Sequence, residues 1–563
     1  MNSPHNTQNT KEEFFYFVEI TILTALFILT ISVVYVAFFL PIYTDEEVWK
    51  LLLGRYHYDG NQEISLTVMP ACGIYAKPVP WPLVPFRLLN QALYADMPGP
   101  LFVRIFGIVL EAAWFLLTWW LLADVVTPKL SRRTVGTGIV AFSMLGIMPF
   151  LLEFGRPEKI LLLGMTGFFL PMLKPTPREL PRLGMSLFHA VWIWIAAGFL
   201  LTSHPRAVFA LPLILLFMQR MVRRWPLVAV GTAALLAFEA VVFHDWSSRW
   251  ICPGDPSVDV RFRQLNLASN LDSRYFGGYV HQLIGSLGNP GTWFLSDIIP
   301  KRSYISDMIP PFTNKAALGF GVDLWEFLTL SVLLGGISLI IAFIARWKER
   351  DRRATLLTLG AMWGFFVLSI VARIDKLDYE AALLVPLIAL TTFASFWIAW
   401  PVLTRLLGAR AAISAARLGF ALLLVCAFVS QIALLANFGP YALGGWSAPG
   451  YPAGQRFSVS GFGYETLRPQ IIATAAKCGI RPEDRPNHLV VDELTYFSFQ
   501  KAYQPFFMTY LDEHGWGRDH PDPTDILRRN RSAGMIVGCQ WIPSVYRARA
   551  IANGRFCCLP KFS

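Results

Sequence analysis

What most constrains this chain is a set of apolar stretches too long and too poor in charge to be hidden inside a water-soluble fold. Phe14 to Tyr43 and Leu101 to Val126 each exceed the ~20 residues a helix needs to cross the hydrocarbon core of a bilayer. Of the 563 residues 54% are hydrophobic, 14% aromatic and only 15% charged, and the mean hydropathy is +0.46, so the apolar surplus is general. These numbers exclude a soluble enzyme, a disordered scaffold, a fibrous protein and a receptor with a single anchor. The chain reads as a polytopic α-helical membrane protein.

Apolar spans are predicted near 16–43, 101–126, 137–152, 160–173, 184–201, 207–218, 226–243, 327–345, 355–371, 381–403 and 418–436, about eleven transmembrane helices in all. The net charge of +11 does not describe a nucleic-acid face, because the basic residues are dispersed among short loops. Lys129, Arg132 and Arg133, then Lys174, Arg178 and Arg182, then Arg220, Arg223 and Arg224 fall in alternate loops. Arg346, Lys348, Arg350, Arg352 and Arg353, and finally Arg405, Arg410 and Arg417, continue the series on the same side. The excess of Lys and Arg in cytoplasmic loops makes that side the cytoplasm, with the amino terminus inside and the carboxyl-terminal region outside. The first span is too long for a signal-peptide apolar region, and Pro41, Ile42, Tyr43 and Thr44 follow it instead of a small-residue cleavage site. It is expected to stay as an anchor.

Three outward segments are long, 44–100, 244–326 and 437 to the end, so the chemistry is expected outside. Residues 1–436 form the expected transmembrane domain and 437–563 a small carboxyl-terminal α/β domain. In the latter a helix over 469–478 stops at Gly479, 488–491 and 534–537 read as strands, and 525–530 reads as a short helix. Of seven cysteines, Cys426 lies in the last span, while Cys72, Cys252, Cys478, Cys539, Cys557 and Cys558 fall outside, where up to three disulfides can form with undetermined pairing.

Directly after the first span comes Thr44-Asp45-Glu46-Glu47-Val48-Trp49, and Val48, Leu51, Leu52 and Arg55 recur at helical spacing, an amphipathic helix for the outer membrane surface. Thr44 can cap it, and acidic residues in a first turn complement the helix dipole, which is the structural alternative to a functional role. The stretch Thr44 to Tyr56, TDEEVWKLLLGRY, resembles the GT-C glycosyltransferases, the superfamily of protein O-mannosyltransferases, lipid A aminoarabinose transferases and mycobacterial arabinosyltransferases. The likeness in residues is confined to that stretch, and in architecture it extends to the short inner loops, the long outer loops and the outer tail domain. It implies a catalytic base or metal-binding acid at Asp45, with Glu46 beside it and Arg55 as the basic residue about ten positions on. It also implies a bacterial inner-membrane enzyme whose active site faces the periplasm.

The same chemistry can be argued without the family. A sugar on a polyprenyl phosphate sits with its anomeric carbon just above the membrane, so its transfer needs a carboxylate there to take the acceptor's proton and cations to meet the departing phosphate. Short outward loops supply such cations: Arg156 and Lys159 around Glu158, His204 with Arg206, and Arg373 with Lys376. The assignment is His204 and Arg206 on phosphate, Arg156 and Lys159 on phosphate or sugar, and Glu158 on sugar hydroxyls. Against it stands the plain alternative that Lys and Arg reach for lipid headgroups. Arg104 and Glu111 lie two turns apart on one face of the second span; interface anchoring is expected of Arg104, phosphate contact being the alternative. Glu19 and Glu239 are expected to be paired structural groups. In the tail, 519–525 describes a helix start better than a metal site. Tyr496, Phe497, Phe499, Tyr503, Phe506, Phe507 and Tyr510 suit either packing or sugar stacking, and Asp492 and Glu493 are weak acceptor-site candidates.

No short outward loop carries DxD, and no metal ligand is assigned, although a divalent cation shared by Asp45, Glu158 and substrate phosphate is compatible with the residues. P-loop, GxGxxG and HExxH patterns are missing, which argues against a nucleotide-driven pump or a metalloprotease. The reading is an inverting glycosyltransferase that moves a sugar from a polyprenyl-phosphate donor to a glycan, lipid or protein acceptor. Its rivals are a surface-polysaccharide polymerase or ligase and a flippase for lipid-linked sugar, the latter disfavoured by the absence of symmetric halves.

Overall fold

In a computed structural model of the chain the described residues are 5–37, 58–59, 62–63, 100–126, 130–145, 148, 155, 158–174, 180–250, 333–371, 381–444, 461–483, 488–492, 495–499, 504–507, 532–539, 542 and 546–560. The helices are α1 (His5–Ala37), α2 (Pro100–Val126), α3 (Arg132–Ser143), α4 (Glu158–Phe169), α5 (Leu183–Ser203), α6 (Leu211–Val222) and α7 (Trp225–Trp250). They continue as α8 (Leu333–Arg346), α9 (Arg350–Val371), α10 (Ala381–Leu407) and α11 (Ala409–Gly444). Among the described residues five helices are long and apolar enough to cross a membrane: Arg104–Val126, Leu183–Ser203, Trp225–Val242, Val385–Leu407 and Ala409–Ile432. The expected spans near 137–152, 160–173 and 207–218 fall on α3, α4 and α6, helices of 12 residues each. At 1.5 Å per residue such a helix is about 18 Å long, and the 3-10 turns Leu170–Leu173 after α4 and Pro205–Ala210 before α6 lengthen two of the three apolar segments.

The basic loops converge at one end of the bundle. Lys174 pairs with Asp124, and the Arg220 guanidinium at the end of α6 donates to the Met172 and Lys174 carbonyls at 2.6 Å each. Thr355 at the start of α9 donates to the Met172 carbonyl as well, at 3.0 Å, and Arg224 donates to the Pro181 carbonyl at 3.2 Å. Arg346 at the end of α8 donates to the Ile398 carbonyl at 3.1 Å. Helix termini leave carbonyls without intrahelical donors, and these arginines and hydroxyls satisfy several of them. On the flank, α1, α3 and α11 pack around Met144, whose carbonyl accepts from the Gln431 amide and whose sulfur accepts from Thr30 at 3.3 Å.

The tail folds around a five-stranded sheet of β3 (His488–Val491), β4 (Gln504–Phe507), β5 (Ser532–Gly538), β6 (Ile551–Asn553) and β7 (Phe556–Pro560), in the order β4-β3-β5-β7-β6. Separately, β1 (Tyr58–Asp59) and β2 (Gln62–Glu63) pair antiparallel. In the sheet β4, β3 and β5 are parallel, whereas β5, β7 and β6 are antiparallel. Helix α12 (Gly461–Lys477) covers one face with Ile471 and Ala475 and also packs against α2. As read from the sequence it ends at a glycine, Gly479, which takes φ +72. Successive residues of a strand point to opposite faces, so Cys558 bonds Cys478 at the end of α12 while its neighbour Cys557 bonds Cys539 beyond β5. The 525–530 helix, Cys72 and Cys252 lie outside the described residues.

Candidate functional site

Helix α4, EKILLLGMTGFF, is apolar from Ile160 onward and has no face to offer water, so it sits inside the bundle against α2, α5, α6 and α10. A Cβ on Gly164 would stand 2.5 Å from Leu200 Cδ1, which shows how closely α4 and α5 approach. Trp114 Nε1 of α2 donates to Thr166 Oγ1 of α4 at 3.2 Å. The charges of α4 stand together in its first turn, and each turns toward a different neighbour.

Glu158 faces the end of α5, its Oε1 3.6 Å from His204 Nε2, with both side chains buried. Helix α5 stops there for a local reason: Pro205 disfavours helical backbone at the residue before it, and His204 is extended at φ −159, ψ 143. From that position His204 Nδ1 accepts from the backbone N–H of Arg206 at 3.1 Å and caps the 3-10 turn Pro205–Ala210. A neutral imidazole that accepts at Nδ1 carries its proton on Nε2, the nitrogen turned toward the Glu158 carboxylate. Arg206 is half-buried beside it.

Lys159 faces α2. Lys159 is 3% exposed, and its Nζ donates to the Gly107 carbonyl at 2.8 Å. Arg104, three residues before Gly107, is fully buried, which replaces the expected headgroup anchor with a cation held inside the protein. Thus the start of α2, the start of α4 and the end of α5 meet at one level, at the end of the bundle opposite the basic loops. Two cations that ordinary solvation would pull to the surface are buried there beside a carboxylate and an imidazole. Such a set can bind an anion by charge and orient hydroxyls by hydrogen bonding.

Of the sequence-derived candidates the structure brings together Glu158, Lys159, His204 and Arg206. Asp45, Glu46, Arg55, Arg156, Arg373 and Lys376 lie outside the described residues, as do Glu493 and the 519–525 segment. Among the described residues no three His, Cys, Asp or Glu side chains gather as a ligand set.

Other expectations change. Glu239 is buried on the 235–238–239–242 face of α7, and its Oε2 has no hydrogen-bond partner among the described residues. Asp492 is a fastener: Oδ2 accepts from the Gly538 N–H at 2.6 Å, and Oδ1 accepts from the N–H and hydroxyl of Thr495 at 2.9 Å each. Tyr496, Phe497 and Phe499 are buried in the core of the sheet, with Tyr496 and Phe497 edge to face, which assigns them to packing. What sequence reading missed is the Lys159–Gly107 bond. Its signal, Arg104, Gly107 and Glu111 along one face of α2, gave no hint of which helix it meets.

No family model matches the sequence, and no curated protein does. Among solved structures, ArnT from Cupriavidus metallidurans bound to undecaprenyl phosphate is similar at 14% identity over 96% of this chain and 98% of that one, with a TM-score of 0.45. The Archaeoglobus fulgidus oligosaccharyltransferase in its apo form is 12% identical over 92% of this chain and 70% of that one, TM-score 0.42. AglB from Archaeoglobus fulgidus, in complex with an inhibitory peptide and a dolichol-phosphate, is 11% identical over 94% and 70%, TM-score 0.40. Each likeness spreads over most of the chain at low identity, and none assigns an activity to it.

Proposed function

We propose that this chain is a membrane-embedded glycosyltransferase of GT-C architecture, with about eleven membrane passes, that takes its sugar from a polyprenyl-phosphate donor. The observation that carries the reading is the convergence of Glu158, Lys159, His204 and Arg206 where α2 and α4 start and α5 ends, opposite the basic loops. A lipid phosphate anchored in one leaflet presents its anion at that depth, and buried cations bind it far more strongly than they would in water.

Asp45, one residue after Thr44 at the close of the first span, is the proposed base. The acceptor oxygen bonds to the anomeric carbon as the bond from that carbon to the phosphate oxygen breaks. The acceptor's proton passes to the Asp45 carboxylate, and the lipid phosphate leaves with the electron pair, so the anomeric centre inverts. Arg156, Lys159, His204 and Arg206 would meet the phosphate charge with Arg55, Arg373 and Lys376, while Glu158 would orient sugar hydroxyls and Glu46 support Asp45. The two disulfides support an oxidising compartment for the 437–563 domain, which agrees with a cytoplasmic position for the basic loops and a periplasmic one for the site.

The test is purified protein with a synthetic polyprenyl-phosphate sugar, native against Asp45→Asn and Arg206→Ala. Release of lipid phosphate by the native form, lost by at least about a hundredfold in Asp45→Asn, is expected. Equal release by native and Asp45→Asn protein would remove Asp45 from the mechanism, and no release by the native form would remove the activity.

A further inference from the structure

Helices α5 and α7 both begin at the end of the bundle where the basic loops lie, and a hydrogen bond ties their starts together. Arg224, the residue before α7, donates through Nη2 to the carbonyl of Pro181, two residues before α5, at 3.2 Å. Further along α5, His189 Nδ1 meets the Met221 carbonyl near the end of α6 at 3.3 Å. Arg220 is turned to the Met172 and Lys174 carbonyls. Residues 180–186 and 219–230 carry Arg182, Arg220, Arg223 and Arg224 and no acid; Glu179, the nearest acid in sequence, lies outside the described residues.

This junction is rich in donors and short of acceptors. Arg182 is exposed, and its side chain neither caps α5 nor forms an ion pair among the described residues. Arg224 Nε is buried without an acceptor, and so is Oγ of the fully buried Ser186, one turn into α5. Side chains of a helix lean toward its amino terminus, so that hydroxyl is directed back to the Arg182 turn. Buried polar atoms without partners are costly, and an anion that brings acceptors to the junction lowers that cost. The first turns of α5 and α7 hold no acidic residue, so the positive ends of two helix dipoles add to the guanidinium charges of Arg182 and Arg224.

The surroundings of the junction narrow the class of anion. Leu180, Leu183, Met185 and Trp225 are each more than half exposed, at the start of two helices long and apolar enough to cross the membrane. Exposed apolar side chains and a tryptophan beside arginines mark the boundary between headgroups and acyl chains. A soluble anion would use the arginines alone, whereas an acidic phospholipid also covers the apolar surface.

We propose that this junction binds an acidic phospholipid, its phosphodiester held between Arg182 and Arg224 and its acyl chains laid beside Leu183 and Trp225. The site is at the opposite end of α5 from His204 and is independent of the transferase reading. Native mass spectrometry of the full-length protein, delipidated in detergent and titrated with phosphatidylglycerol or phosphatidylcholine, tests it. The native protein is expected to take one phosphatidylglycerol about tenfold more tightly than phosphatidylcholine. Arg182→Gln and Arg224→Gln should each weaken phosphatidylglycerol binding by about fivefold, the effect of one cation beside a charged lipid. Arg206→Ala, at the other end of α5, and Arg410→Gln, in another basic loop, should leave it unchanged. Equal affinity for the two lipids overturns the proposal, and so does native affinity in Arg182→Gln. A loss in Arg410→Gln as large as in Arg224→Gln would also overturn it, by showing a response to net charge alone. Glycerol phosphate bound as tightly as phosphatidylglycerol would overturn the lipid assignment. Arg224→Gln removes the Pro181 bond as well as the charge, so Arg182→Gln keeps the test decisive if Arg224→Gln does not fold.

Discussion

His204 has two jobs on two ring nitrogens, and they can be separated. Nδ1 caps the turn through the Arg206 N–H, and Nε2 faces Glu158. An asparagine oxygen can replace Nδ1 but nothing in asparagine reaches as far as Nε2. His204→Asn is therefore expected to keep stability near native while lowering donor turnover. His204→Ala should lose about 1 kcal/mol through the missing cap as well as the turnover. Thermal unfolding in detergent and lipid-phosphate release measure the two effects, and equal stability loss in both variants would show that the cap is not what His204 contributes. The residues of this pair were nameable in the sequence because each sits in a short turn beside proline. Their contact was not, since 46 positions separate Glu158 from His204 and only the packing of α4 on α5 closes that distance.

At the scale of elements, the α4–α5 contact depends on Gly164. Any side chain there meets Leu200 at 2.5 Å, so Gly164→Val should destabilise by about 1–3 kcal/mol and Leu200→Ala should partly restore the double variant; a neutral Gly164→Val would mean that the helices are not this close. In the tail, the Cys478–Cys558 bridge spans 80 residues and ties α12 to β7, and Cys539–Cys557 spans 18. Cys478→Ser with Cys558→Ser should cost the domain about 2–5 kcal/mol and speed proteolysis of 461–560 under conditions that leave the membrane helices intact. Proteolysis at the native rate would contradict the bridge. The helix stop at Gly479 and the strands at 488–491 and 534–537, the latter inside β5, were legible from the pattern of hydrophobic residues. The breaks from α-helix to 3-10 turn at Leu170 and before Leu211 were not, because an apolar run has the same composition on either side of such a break.

For the whole molecule, sidedness is the property on which the proposed chemistry depends. Cysteines introduced singly at Arg182 and at Arg547, in a background lacking Cys72, Cys252 and Cys426, should be labelled by an impermeant thiol reagent from opposite faces of sealed vesicles, Arg547→Cys from the periplasmic one. Labelling of both from the same face would overturn the orientation and the proposed active-site side with it. The membrane character, the grouping of basic loops and the presence of a small tail domain were determined by the sequence alone. Each follows from hydropathy, charge placement or strand alternation, quantities that are local and additive along the chain. The junction of α2, α4 and α5, the burial of Arg104, the reach of Lys159 to Gly107 and the conversion of Asp492 from a site candidate into a fastener were decided only by tertiary structure. These depend on which side chains face one another across helices and strands far apart in the chain, and close packing sets that geometry in three dimensions at once.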